Sequence, residues 1–268
     1  MELETYSQIK TSVKRLLNID LTYYKDEQMR RRLDSWLVRS GAPDWDDYFD
    51  RLRGDQHELS RFRDYLTINV SEFFRDLERW MALRGQVMPA LLEQARKVHP
   101  LRPALRVWSA GCSIGAEIYS LAIMLDEMAP GSTHYLLATD LDRGVLLKAR
   151  AHGPYSVDEI RNVNPQQRAT YFEQTGAQYM LKDSLARRIT FKEHNLLNDL
   201  YENAFDLIVC RNVIIYFTTE AKAELYKKFY QALRPGGILF LGGTEIIPRP
   251  GDIGFQNVGI SFYRKGGQ

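Results

Sequence analysis

The sequence predicts an all-α N-terminal domain followed by an open α/β sheet with flanking helices and a small β-rich insertion. Three observations carry this. In the first hundred residues, apolar positions recur at helical spacing. From Leu105 the texture becomes strand, glycine, helix, strand, acid, helix, the signature of a parallel sheet with helical crossovers. Between Gly153 and Arg188 that alternation breaks down around Pro154 and Pro165. The expected limits are a helical domain over 1–76, a linker helix and connection over 77–103, and a sheet domain over 104–268 with its insertion at about 153–190.

Ile9, Val13, Leu16 and Leu17 mark a first helix, and Met29, Leu33, Trp36 and Leu37 a second. The second can start near Asp26 and stop at Gly41, with Pro43 beyond. Tyr48, Phe49 and Leu52 suggest a third, and Leu59, Phe62, Tyr65 and Leu66 a fourth. One long helix is expected over Leu77–Val98, ending at His99-Pro100 and Arg102-Pro103. Strands are expected at Leu105–Ser109, Tyr135–Thr139, Ile189–Glu193, Leu207–Cys210 and Ile238–Leu241, with a last piece at Val258–Tyr263. In the insertion, a short helix surrounds Tyr171-Phe172 and Gln178–Leu181 is strand-like.

A chain of 268 residues, 44% hydrophobic, can bury one large core or one core plus a satellite domain. A net charge of +2 is not that of a protein that lives on nucleic acid, although Lys25, Arg30, Arg31 and Arg32 cluster locally. From the polar, acidic start no signal peptide is expected, and no apolar run approaches the ~18 residues that cross a bilayer. Two cysteines, Cys112 and Cys210, are expected as reduced thiols in a cytoplasmic protein. The five histidines lack ligand spacing, so no metal is expected.

Polar residues recur where strands should end, the place where an open α/β sheet binds a nucleotide-like ligand. Gly111-Cys112-Ser113-Ile114-Gly115 follows the first strand; it lets backbone approach a ligand, or it is an ordinary tight turn. Asp140 ends the second strand, placed to accept hydrogen bonds from ribose hydroxyls; the rival readings are a solvated carboxylate or a helix N-cap. Glu117, near the positive end of the first sheet-domain helix, could hold an ammonium group or only compensate the dipole. Asn195-Leu196 and Arg211-Asn212 follow later strands, where they could read an adenine edge and an amino-acid moiety, or cap turns. Arg75 offers a rigid fork for a carboxylate, or pairs with Asp76 or Glu72. The order of these features reads as an S-adenosylmethionine site with an arginine delivered from outside the sheet.

The series NVSEFFRD, WSAGCSIGAEIYS, ATDLD, HNLL, FDLIVCRNVIIYF and LRPGGILFLGGTE resembles the chemotaxis receptor methyltransferases, the CheR family, over about residues 5–264. The resemblance implies an all-α domain and a class I S-adenosylmethionine-dependent methyltransferase sheet of Rossmann-like type. It implies methyl transfer to glutamate carboxylates on the cytoplasmic, acidic helical bundle of chemotaxis receptors, by a monomer that neither enters the membrane nor binds nucleic acid. S-adenosylmethionine is the implied cofactor and S-adenosylhomocysteine its product. Asn69, Ser71 and Arg75 would contact the cofactor from the linker side. Gly111, Glu117, Asp140, Asn195, Leu196, Arg211 and Asn212 would hold it from the sheet, and Arg75 and Tyr216 would border the reacting centre. The chain departs from the family at Ala116, where one acid of a usual pair is lost. It also departs at Gly242-Gly243-Thr244-Glu245, where G-H-S-E is commoner, and at Ser71 in place of threonine. A cofactor-binding sensor without catalysis is the alternative; the Arg211-Asn212-Val213-Ile214 run lacks the Pro-Pro-aromatic signature of base methylation.

Overall fold

The computed structural model describes residues 2–67 and 71–267. The chain forms two compact units, residues 1–69 with 215–223, and residues 70–214 with 224–268.

The first unit contains α1 (Leu3–Leu17), α2 (Asp26–Ser40), α3 (Trp45–Leu52) and α4 (Gln56–Thr67). Gly41, at φ +68°, closes α2, and the Asp44 carboxylate accepts the Asp47 N–H to start α3. Trp36, Tyr48 and Phe62 pack as an aromatic core in which the Trp36 indole N–H donates to the Tyr48 hydroxyl at 2.6 Å. The segment around Tyr216 belongs here: Lys25 N–H donates to the Tyr216 carbonyl at 3.0 Å, and the Tyr24 and Phe217 rings meet edge-on.

The second unit starts with α5 (Leu77–Ala82), a π turn over Leu83–Val87 and α6 (Met88–Val98). The expected single helix over Leu77–Val98 is therefore interrupted. Pro89, at the start of α6, has no N–H, and its ring conflicts with the carbonyl four residues back; widening the preceding turn relieves both. Then come β1 (Arg106–Ala110), α7 (Ala116–Met128), β2 (Tyr135–Asp140) and α8 (Arg143–Arg150). After these come α9 (Pro165–Tyr171), the β3 (Phe172–Thr175) and β4 (Gln178–Leu181) hairpin, and α10 (Asp183–Ala186). The chain continues through β5 (Ile189–Glu193), β6 (Phe205–Cys210), α11 (Thr219–Ala232), β7 (Leu233–Leu241), β8 (Phe255–Gly259) and β9 (Phe262–Lys265).

The sheet order is β5-β2-β1-β6-β7-β9-β8, with β3-β4 apart as a separate hairpin. The five strands from β5 to β7 run parallel, while β9 pairs antiparallel with β7 and β8 with β9. The sheet is thus mixed, and the single terminal piece expected at Val258–Tyr263 is a hairpin broken by the Ile260-Ser261 turn. A third difference lies in β7, expected at Ile238–Leu241, which begins at Leu233 and bulges through Arg234–Gly237 before regular pairing resumes at Ile238. Strands β1 and β6 are buried almost throughout, and Trp108 packs among Tyr201, Phe205 and Phe229. Central strands covered on both faces read as continuous apolar runs, which is why they stand out in the sequence. Among the described residues, no helix is long and apolar enough to cross a membrane.

Candidate active site

Chain direction across the sheet reverses between β1 and β6: β2 and β5 lie on one side, β7 on the other. A crevice opens at the carboxyl ends of strands at such a switch point. The loops after β1 and β6 meet there. Gly111 has φ +83°, and a Cβ on it would lie 2.5 Å from the Val213 side chain. Gly111 and Cys112 both donate to the Thr139 carbonyl, so the loop is tied to the tip of β2.

Asp140 braces that loop. Its Oδ2 accepts the Ser113 N–H at 2.7 Å and its Oδ1 the Asp142 N–H at 3.0 Å. The N-cap of α8 is Asp142, whose carboxylate accepts the Gly144 N–H at 2.8 Å, so Asp140 is not a helix cap. Burial pushes the Asp140 carboxyl up to about 6, against the pull of its backbone donors.

Glu117 faces inward from the first turn of α7. Ser109 Oγ donates to its Oε1 at 2.9 Å, and Arg211 Nη1 lies 3.7 Å from its Oε2. Burial pushes this carboxyl up to about 7; Arg211, Ser109 and Arg75 draw it down, and Glu245 adds an upward push. Arg211 is buried after β6, donates to Asp76 Oδ2 at 2.8 Å and lies over the Phe240 and Trp80 rings. Its Nε is buried without a hydrogen-bond partner. A buried donor lacking an acceptor and a carboxyl whose charge burial disfavours each call for an opposite partner. Together they suit a zwitterionic amino-acid group, with Asp140 as acceptor for hydroxyls nearby, so the residues fit S-adenosylmethionine.

Arg75 stands just before α5, its carbonyl accepting the Trp80 indole N–H at 2.9 Å. Both neighbouring acids are engaged by other arginines: Asp76 by Arg211, and Glu72 by Arg161 at 2.6 Å. With Ser71, Glu72, Asp158, Glu159 and Arg161, Arg75 lines a cavity of about 300 Å³. Its charge also acts on both Glu117 and Arg211.

Asn195 and Leu196 follow β5 in a tightly held turn. The Asn195 side-chain oxygen accepts the Leu197 N–H at 3.0 Å, so the turn-capping reading holds for that atom. Asp199 accepts the Asn195 N–H at 2.7 Å, the Tyr201 hydroxyl donates to the Leu196 carbonyl at 2.6 Å, and Lys228 donates to the Leu197 carbonyl at 2.6 Å. Asn212 has φ +58°. Tyr216 is carried by the helical unit, and Asn69 lies outside the described residues. Sequence reasoning missed Asp76 as the partner of Arg211, Ser113 as a donor to Asp140, and Glu245 beyond β7. For Glu245 the available signal was an acid closing a glycine-rich strand end.

Without the inserted hairpin, the strand order reads 3-2-1-4-5-7-6. That doubly wound sheet with an antiparallel edge, carrying acids at the tips of β1–α7 and β2, defines an S-adenosylmethionine-dependent methyltransferase. Residues 4–67 match the CheR methyltransferase all-alpha domain, and residues 69–263 the CheR methyltransferase SAM-binding domain. The chemotaxis protein methyltransferase of Listeria innocua is 45% identical over 254 residues, covering 94% of each chain. That of Salmonella typhimurium is 36% identical, covering 85% of this chain and 78% of its own, and that of Escherichia coli 34%, covering 90% and 83%. The chain belongs to the CheR methyltransferase family.

Proposed function

We propose that this chain methylates glutamate side chains on the cytoplasmic helical bundle of chemotaxis receptors, as a cytoplasmic monomer. The supporting observation is that Arg75 lines the cavity while its charge reaches Glu117 and Arg211 in the crevice. One guanidinium thus serves both an incoming carboxylate and the cofactor pocket.

The cofactor supplies a methyl group activated on a sulfonium. Arg211 and Glu117 would hold its carboxylate and ammonium, Asp140 its ribose, and Asn195 and Leu196 its adenine edge. Gly111 and Asn212 would shape the pocket walls, with Ser71 on the linker side. A free glutamate, with a pKa of about 4.3, is ionised at neutral pH and needs no general base. Arg75 orients the attacking oxygen. Because the transfer consumes opposite charges, a tight clamp on the nucleophile would slow it, and Arg75 acts as a positioner. Incubation with methyl-labelled cofactor and receptor fragments should give a base-labile label; cofactor binding without label would favour a sensor.

Asp140→Ala is expected to weaken S-adenosylhomocysteine binding by at least about tenfold in calorimetry, the loss of charge-assisted bonds to two hydroxyls. Unchanged affinity would remove Asp140 from the cofactor site. On α2, Arg30 and Arg32 lie over the Tyr6 and Tyr65 rings, and Arg31 pairs with Glu27. Docking of an acidic receptor bundle on this helix predicts association that weakens as salt rises, and salt-independent binding would count against it.

A further inference from the structure

The turn after β6 carries Arg211 and Asn212, and its backbone donors converge on a side chain from beyond another strand. Glu245 is buried, 4% exposed. Its Oε2 accepts Gly242 N–H at 2.7 Å and Asn212 N–H at 2.8 Å; its Oε1 accepts Ile214 N–H at 2.8 Å and Val213 N–H at 3.1 Å. Four backbone donors fill the acceptor positions of one carboxylate. Asn212 sits at φ +58°, in the left-handed region that asparagine enters more readily than most residues with a Cβ. The approach is close enough to require glycine at 242, where a Cβ would lie 2.5 Å from Glu245 Oε2 and 3.0 Å from Asn212 N.

We propose that Glu245 is a positioning residue, a buried carboxylate that sets the Arg211–Asn212 turn in its binding geometry before the cofactor arrives. The proposal rests on the cofactor-site reading above. A fixed turn spares the ordering cost that a mobile one would add at binding. Two acceptor oxygens are needed, because glutamine would turn one of them into a donor facing two backbone donors. Its charge also reaches Glu117, which Ser109, Arg211, Arg75 and the buried thiols of Cys112 and Cys210 face as well.

The test is Glu245→Gln, checked by circular dichroism to be folded at the assay temperature, with S-adenosylhomocysteine affinity measured by calorimetry across pH. Expected are at least about tenfold weaker binding at pH 8 and a shift of the pH midpoint of binding to lower pH, since one charge pushing Glu117 up is gone. A lowered melting temperature with affinity and midpoint unchanged makes Glu245 merely structural and overturns the proposal. If that variant does not fold, Gly242→Ala decides: its methyl displaces the carboxylate and should give the same loss, and unaltered affinity overturns the proposal. In the unmodified, ligand-free protein, the amides of Asn212, Val213 and Ile214 should exchange at least about a hundredfold more slowly than unbonded loop amides. Fast exchange until ligand is added would refute a preset turn. Asp140→Ala separates the two levels. If it also leaves affinity unchanged, the cofactor-site reading fails; if only the Glu245 and Gly242 changes are silent, this inference alone fails.

Discussion

Arg75→Ala is expected to cut methyl transfer by at least about 100-fold while S-adenosylhomocysteine affinity stays within about tenfold. The split follows from the proposed division of labour. Arg211, Glu117 and Asp140 hold the cofactor, whereas Arg75 orients a carboxylate that needs no activation. Losing orientation leaves that nucleophile free to sample unproductive poses, and misplacement of about 1 Å can cost that much. The two acids beside Arg75 pair with Arg211 and Arg161, so the substitution leaves both of those ion pairs in place. Arg75→Lys should recover only part of the activity, because an ammonium lacks the two-pronged geometry of a guanidinium. Label-transfer kinetics at saturating cofactor read the turnover and calorimetry the affinity. Wild-type turnover in Arg75→Ala would end the assignment.

The second large effect is a pH dependence of cofactor affinity governed by Glu117. Burial raises this carboxyl to about 7 in the ligand-free protein, and holding an ammonium group requires its ionised form. Affinity should therefore fall by up to about tenfold per pH unit below about 7 and level off above it. Below about 6 the slope steepens, because Asp140 then protonates as well. Binding at pH 6.5 should release protons, seen as a dependence of the binding heat on the buffer's ionisation enthalpy. Glu117→Gln should weaken binding at pH 8 by at least about tenfold and remove the upper part of the profile.

The same substitution should stabilise the ligand-free protein at pH 8. A carboxyl whose folded pKa is raised contributes stability that is present below its ordinary value near 4.5 and lost as pH rises through about 7. Above that pH, burying the charge costs on the order of 3 kcal/mol, and the amide avoids the cost. Thermal melts of the two proteins at pH 5 and pH 8 measure it: the gap should open only at the higher pH. A flat affinity profile from pH 5.5 to 8 would sink the ammonium-holding role.

Much of this architecture is written locally. The buried runs of β1 and β6 are apolar on both faces and announce themselves without knowledge of their neighbours, and β5 and β4 fall where alternation and breakers put them. Asp140, Glu117 and Arg211 were legible as strand-end or first-turn polar residues because such positions recur at one sheet edge. The π turn before Pro89 and the hairpin at the chain end were less legible. The first depends on how a helix absorbs a missing donor, the second on which strand remains unpaired at the sheet edge.

The sequence by itself determined the class of each unit, the strand tips that carry polar groups, and the arginine that precedes α5. Only the tertiary structure decided which group each charge answers to. Asp76 lies beside Arg75 in the chain but pairs with Arg211, 135 positions away; Glu245 takes the donors of a turn some thirty residues earlier. Periodicity and breakers act over a few residues, whereas the partner of a buried charge and the cost of its burial are set by elements that meet only when the sheet assembles.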